Sequence, residues 1–216
     1  CSTDNTIKKI NKITEEDSRV KIYTNKENLG AAKARNIGIS IASGDFISFI
    51  DSDDIWAKEK LEIQLDYLDK TGADFCYSAY EFINIHGERI GSLYQVPTSI
   101  TYEHLLRENV IGCSTVLIKK EILPASPFSS NFFHEDYVLW LKLLKEKKSA
   151  VGINKPLVKY RVGGRSSNKI RAAYNRWKIY RKAEALPLFN SIIYMVLYFI
   201  NGMRKRLSLR FGKIYK

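Results

Sequence analysis

The run Phe46-Ile47-Ser48-Phe49-Ile50 lies between Asp45 and Asp51, and its only polar member is a serine. A segment apolar toward both sides reads as a strand buried on both faces, the condition of a parallel sheet covered by helices. Its surroundings extend the pattern. Residues 5–17 carry Ile7, Ile10 and Ile13 at helical spacing behind the good cap residues Thr3 and Asp4, and Val20–Tyr23 then reads as a strand. From Leu29 to Ser43 an Ala-rich helix is expected, with Ala34, Ile37 and Ile41 on one face, Gly44 at its end and small residues that let it approach the sheet. Strand, helix and buried strand in that order make a βαβ unit.

Further along, residues 57–70 read as an amphipathic helix closed by Gly72, residues 74–84 as a strand, and His86-Gly87-Glu88-Arg89 as a turn. A helix is expected over 102–108, a strand from Cys113 to Ile118, a helix over 135–147 and a strand over 158–162; from Asn168 onward the chain reads helical and basic. Residues 186–200 are its most apolar stretch. They fall short of the ~20 residues a spanning helix needs, and Pro187, Asn190 and Asn201 interrupt them. Arg204, Lys205, Arg206, Arg210, Lys213 and Lys216 follow with no acid among them. Two readings fit: an interfacial anchor on an anionic membrane, or a helix packed on the core with a solvated basic tail.

Charge divides the chain in the same place. Residues 1–138 hold 15 Lys and Arg against 21 Asp and Glu, whereas residues 139–216 hold 20 against 2. The net charge of +12 is therefore no uniform coat for nucleic acid. Cys1, Cys76 and Cys113 are too few and too scattered for a disulfide framework or a metal knuckle, which favours a reducing compartment. No signal peptide opens the sequence. GxGxxG, GxxxxGK[ST] and GxSxG are all missing, which weakens dinucleotide, P-loop and hydrolase readings.

Four constellations carry candidate chemistry. Asp51-Ser52-Asp53-Asp54 follows the buried strand directly, where ligands bind in open α/β sheets. Residues two apart in extended chain point the same way, so Asp51 and Asp53 can offer hard oxygens to Mg²⁺ or Mn²⁺ and, through it, to a diphosphate; the bland alternative is an acidic turn capping the next helix. Asn28-Leu29-Gly30 precedes the helix carrying Arg35, which suits a phosphate or ribose but in isolation is an ordinary solvated arginine. His134-Glu135-Asp136 offers a general base at a helix N-terminus, where carboxylates also serve simply as dipole partners. Tyr160-Arg161-Val162-Gly163-Gly164-Arg165-Ser166-Ser167 has the composition of an anion-binding loop.

Taken in order, Cys1-Ser2-Thr3-Asp4, Asn28-Leu29-Gly30, Ala34-Arg35-Asn36, Ser43-Gly44-Asp45, Asp51-Ser52-Asp53-Asp54 and Glu135-Asp136 resemble glycosyltransferase family 2 over residues 1–167. Among its members the chain looks most like bacterial enzymes of surface-polysaccharide and teichuronic-acid type. The resemblance implies an α/β GT-A fold with a mixed, mostly parallel sheet flanked by helices over 1–167, and a basic helical extension over 168–216. It implies inverting transfer from a nucleotide-diphosphate sugar, a UDP-sugar, to a glycan or lipid-linked acceptor, on the inner face of the cell membrane and without nucleic acid. Asp53 and Asp51 are implied metal ligands for Mn²⁺ or Mg²⁺. Asp4, Arg35, Asp51, Ser52, Arg161, Arg165 and Ser166 are implied contacts to the nucleotide-sugar, Asp136 the base, and Glu135 its orienting partner.

Members of the family also carry two apolar strands ahead of the stretch matching Cys1-Ser2-Thr3-Asp4. Neither is in this sequence, so an N-terminally incomplete transferase with an open sheet edge is expected. The competing readings are a truncated, non-catalytic nucleotide-sugar-binding module, a basic peripheral membrane or nucleic-acid-binding protein, and a nucleotidyltransferase of similar topology.

Overall fold

The computed structural model describes residues 1–163 and 169–211. Helices α1 (Thr6–Glu16), α2 (Gly30–Ile41), α3 (Lys60–Thr71), α4 (Tyr102–Arg107) and α5 (Glu135–Lys145) form where apolar residues recur at helical spacing. Their ends follow local chemistry. Thr101 caps α4 by accepting from the His104 amide, and Gly72 ends α3 at φ 67°, a left-handed conformation that a side chain would resist. Helix α6 (Lys169–Lys178) runs into a π turn (Ile179–Ala183), and α7 spans Leu188–Phe211.

Strands β1 (Phe46–Ser48), β2 (Ile55–Trp56), β3 (Phe75–Ile83), β4 (Arg89–Tyr94), β5 (Leu117–Lys119) and β6 (Ala150–Arg161) form one sheet in the order β1-β5-β3-β6-β2, with β4 also on β3. The sheet is mixed and flanked by helices, as an α/β chain should be. Its directions differ from the expected mostly parallel arrangement: β3 and β6 run parallel, whereas β1–β5, β3–β5, β3–β4 and β2–β6 are antiparallel. Val20–Tyr23 forms no strand and stays largely exposed, so the βαβ unit lacks its first member. Accordingly β1 lies at the end of the sheet. Ile47 and Phe49 are buried while Phe46 and Ile50 face outward, so the run expected to be covered on both sides is covered on one.

Strand β3 is the axis of the fold. Alternation sends Phe75, Tyr77 and Ala79 into the larger core with Tyr137, Trp140 and Leu141 of α5, and Cys76 into a smaller one with Leu68, Leu117 and Leu157. Phe75 stacks on Trp140 at 5.8 Å. The packing is tightest at Gly152, where an added Cβ would stand 2.0 Å from the Pro97 carbonyl oxygen and 3.1 Å from the Tyr77 ring. By contrast, an added Cβ at Gly30 or Gly38 of α2 meets nothing within 4 Å, so closeness to the sheet does not explain them. Gly30 has a backbone reason instead: φ is 74° and its amide donates to Asn28 Oδ1.

The C-terminal helices join the same core. Ile179 and Tyr180 are buried, and the Tyr180 hydroxyl donates to the Leu106 carbonyl at 2.7 Å. No helix among the described residues is long and apolar enough to cross a membrane.

Candidate active site

Three segments distant in sequence meet beyond β1. Asp51 follows the strand, its amide donating to Ser114 Oγ at 3.0 Å, and the Asp54 amide closes a turn on the Asp51 carbonyl. From the middle of α2, Arg35 donates through one nitrogen to Asp51 Oδ1 and through another to Glu135 Oε1 at 2.7 Å. The same guanidinium lies 5.4 Å from the centroid of Phe128. Arg35 thus ties the loop after β1 to the start of α5, and its two outer nitrogens are both engaged by carboxylates.

Asp136, next to Glu135, is the most perturbed carboxyl of the group. Burial pushes its pKa up to about 6, the neighbouring Glu135 charge adds to this, and Arg35 and the Tyr137 amide oppose it. A carboxyl titrating there is ionised at neutral pH yet a stronger base than an exposed aspartate.

Asp53 and Ser52 are exposed beside Asp51. Asp54 turns inward, accepts the Arg161 amide at 3.0 Å, and is raised above the usual carboxylate range chiefly by burial. The Arg161 side chain donates to the Asp53 carbonyl at 2.9 Å and the Asn84 carbonyl at 2.6 Å. Arg161 therefore arrives at the acidic loop as a staple on its backbone. Asp4 stands apart: it is exposed and accepts from the amide and hydroxyl of Thr6 at the start of α1. Arg165 and Ser166 lie outside the described residues.

Sequence reasoning missed the floor of the site. Trp56 donates to the Ser114 carbonyl at 2.8 Å, and the buried Lys60 ammonium sits 4.1 Å over the Trp56 ring. Lys60 also donates to Ser48 Oγ at 3.0 Å and Gln64 Oε1 at 2.6 Å, and burial lowers its pKa to about 8. A lysine on an amphipathic helix carries no sign in the sequence that it will be buried; only the unusual Trp56 three residues after Asp53 hinted at a floor.

The basic helix α6 meets the candidate base segment through aromatic rings. Arg171 lies 4.9 Å from the Phe133 centroid, Lys178 5.5 Å from Phe132, and the buried Arg176 3.7 Å from Tyr137.

Among the described residues no group of three or more His, Cys, Asp or Glu converges on a metal position. Asp51 and Asp53 alone make a partial donor set, which suits Mg²⁺ or Mn²⁺, since such ions are held by one or two carboxylates and completed by substrate phosphates and water. Residues 51–54 form a turn closed by the Asp54 amide rather than the extended chain expected, so the same-side argument does not apply, and Asp51 would share its carboxylate between an ion and Arg35.

Comparison with known proteins bears on this arrangement. The family model described as Glycosyl transferase family 2 matches residues 1–121. A Bacillus subtilis (strain 168) protein named as a teichuronic acid biosynthesis glycosyltransferase, TuaG, is 35% identical over 209 residues, 96% of this chain and 83% of its own length. The Escherichia coli protein named UDP-Glc:alpha-D-GlcNAc-diphosphoundecaprenol beta-1,3-glucosyltransferase WfgD is 40% identical over 94% of this chain and 79% of its own. In fold, S. aureus TarS 1-349 in complex with UDP-GlcNAc matches with TM-score 0.64 at 18% identity, over 92% of this chain and 60% of that one. The mannosyltransferase PcManGT from Pyrobaculum calidifontis, in complex with GDP-Man and Mn2+, matches with TM-score 0.64 at 15% identity, over 99% of this chain and 65% of that one. The chain thus spans about four-fifths of the curated relatives and under two thirds of the solved chains. Both structural matches establish a GT-A fold.

Proposed function

That this chain belongs to glycosyl transferase family 2 is the premise from which we propose inverting transfer of a sugar from a UDP-sugar to a hydroxyl of a lipid-linked acceptor, in bacterial surface-polysaccharide assembly. The observation that supports the reading is the Arg35 bridge, which joins Asp51 to Glu135, the chain neighbour of Asp136.

In this mechanism Asp136 takes the proton from the acceptor hydroxyl, whose oxygen forms a bond to the anomeric carbon as the bond to the diphosphate breaks. One displacement inverts the configuration. The raised affinity of Asp136 for a proton suits it to the task, and Glu135, held by Arg35, fixes its neighbour's place. Asp53 and Asp51 are the residues that would hold Mn²⁺ or Mg²⁺, which would supply positive charge to the diphosphate. Ser114 holds the start of the acidic loop by accepting the Asp51 amide, and Lys60 holds the end of β1 that leads into it. Residues 1–167 carry the transfer, and the basic extension over 168–216 keeps the enzyme peripheral on a membrane where its acceptor resides.

The binding-module reading shares this fold and is separated by chemistry: a divalent-dependent release of UDP from a UDP-sugar, stimulated by acceptor, supports transfer, and donor binding without release refutes it. A nucleic-acid reading is less favoured, because Arg171, Arg176 and Lys178 of α6 are seated on rings of the protein itself.

A further inference from the structure

Helix α7 is apolar on two sides, and only one of them is used. Its inner side is packed: Ser191 is buried, Tyr194 and Met195 rest on the core, the Tyr198 ring lies 5.1 Å from the buried Arg176 guanidinium, and Asn201 donates to the Arg107 carbonyl. The outer side carries Phe189, Ile192, Ile193, Val196, Phe199 and Met203, all exposed, with Phe189 at 72%. At 100° per residue these positions fall within an arc of about 120°, so they form one stripe rather than scattered surface residues. From Phe189 to Met203 the stripe runs about 21 Å along the helix, too long for the edge of a small pocket.

We propose that this outer face of α7 lies in the plane of an anionic lipid bilayer, its apolar side chains inserted at the level of the headgroup boundary. The inference deepens the membrane reading given above by naming the surface that makes the contact.

Three observations choose lipid over a protein partner. From Ala185 to the last residue the sequence has no acidic residue, while six basic ones, Arg204, Lys205, Arg206, Arg210, Lys213 and Lys216, follow the stripe. An apolar stripe running into a polybasic segment is the pattern that anionic membranes bind, each basic residue near the surface adding attraction. Second, the helix does not span: no described helix is apolar and long enough to cross, and the packed inner face would have to leave the core to do so. Third, Tyr198 and Asn201 pin the inner face to α6 and α4, so the outer face is presented on a fixed support and needs no refolding to meet a flat surface.

The test uses the whole chain and sucrose-loaded vesicles of pure phosphatidylcholine or of phosphatidylcholine with phosphatidylglycerol. The wild type is expected to sediment with the anionic vesicles and little with the neutral ones. Phe189→Ser, Ile193→Ser and Phe199→Ser together should weaken anionic-vesicle binding at least about tenfold, because three exposed side chains lose their apolar burial. Arg204→Gln, Lys205→Gln and Arg206→Gln together should cut it about tenfold or more and leave a residue of binding that salt no longer weakens. Phe189, Ile193, Phe199 and Arg204 are exposed, and none of the substituted residues belongs to the candidate site, so UDP release measured without lipid should be unchanged in both variants. Equal sedimentation of the triple serine variant and the wild type overturns the inference, as does a wild-type dimer in analytical ultracentrifugation that the serine changes dissolve while vesicle binding is absent. Vesicle binding is read without any turnover, so an inactive chain that binds through α7 would sink the transferase reading and leave this one standing.

Discussion

Replacing Arg35 with Met keeps an aliphatic stem beside Phe128 and removes the guanidinium joining Asp51 to Glu135. The two halves of the loss are unequal. The Glu135 side chain is 4% exposed, and taking the cation from a buried pair costs about 3–5 kcal/mol. The Asp51 side chain is 39% exposed, so solvent screens its half to about 0–1 kcal/mol. Glu135 has further interactions that soften its half, and a total of about 3 kcal/mol follows. For a chain of this size that lowers Tm by about 6–12 °C. A second effect is chemical. Arg35 is one of the groups that hold the Asp136 pKa down to about 6, so its removal sends that value higher. Thermal melts at neutral pH measure the first effect, and the acid limb of the rate–pH profile the second, moving to higher pH in Arg35→Met. An arginine whose main work is to grip donor phosphates gives a different pattern: unchanged Tm, an unmoved acid limb and a raised donor KM. That pattern would refute the bridge.

The remaining predictions are simpler. Asp136 must be ionised to take a proton, so wild-type turnover should rise with pH through about 6 and level above it; a limb near the ordinary value of 3.8 would remove Asp136 from the role. Asp53→Ala should abolish the Mn²⁺ or Mg²⁺ dependence of donor binding, read by calorimetry with UDP in the presence and absence of the ion, and unchanged dependence would place the ion elsewhere. Gly152→Ala must move the Pro97 backbone away from a Cβ 2.0 Å from its oxygen, and is expected to cost about 3 kcal/mol or more in urea unfolding; a loss under about 1 kcal/mol would mean the segment yields freely.

How much of this could be read beforehand depended on how local each cause was. Helix α5 was legible because Val138, Leu141 and Leu144 repeat at helical spacing, and the turn after β3 because His86-Gly87-Glu88-Arg89 is turn chemistry, whereas β4 beyond it was not foreseen. Strand β6 was foreseen only from 158 to 162 because Asn154-Lys155-Pro156 looks like an interruption. The sheet absorbs it where the register shifts between Ser78 and Tyr80, with Pro156 opposite Ala79. Val20–Tyr23 has strand-forming residues but no ladder partner among the described residues, and propensity alone does not pair a strand. In the site, Asp51, Arg35 and Glu135 were singled out one at a time by type and position. Their joining across 16 and 100 residues of sequence is a tertiary fact that no local pattern encodes. The same holds for Lys60 and Ser114, whose roles come from contacts with Ser48 and Asp51 rather than from their neighbours.

The most direct test of the account is the turnover of Asp136→Asn, an isosteric change that removes the proton acceptor and keeps the shape. With a UDP-sugar and a diphosphate-lipid acceptor, the variant should lose at least about hundredfold in kcat while its donor affinity stays within about twofold of wild type. Near-normal turnover in Asp136→Asn would contradict the assignment of the base, and with it the mechanism built around the Arg35 bridge.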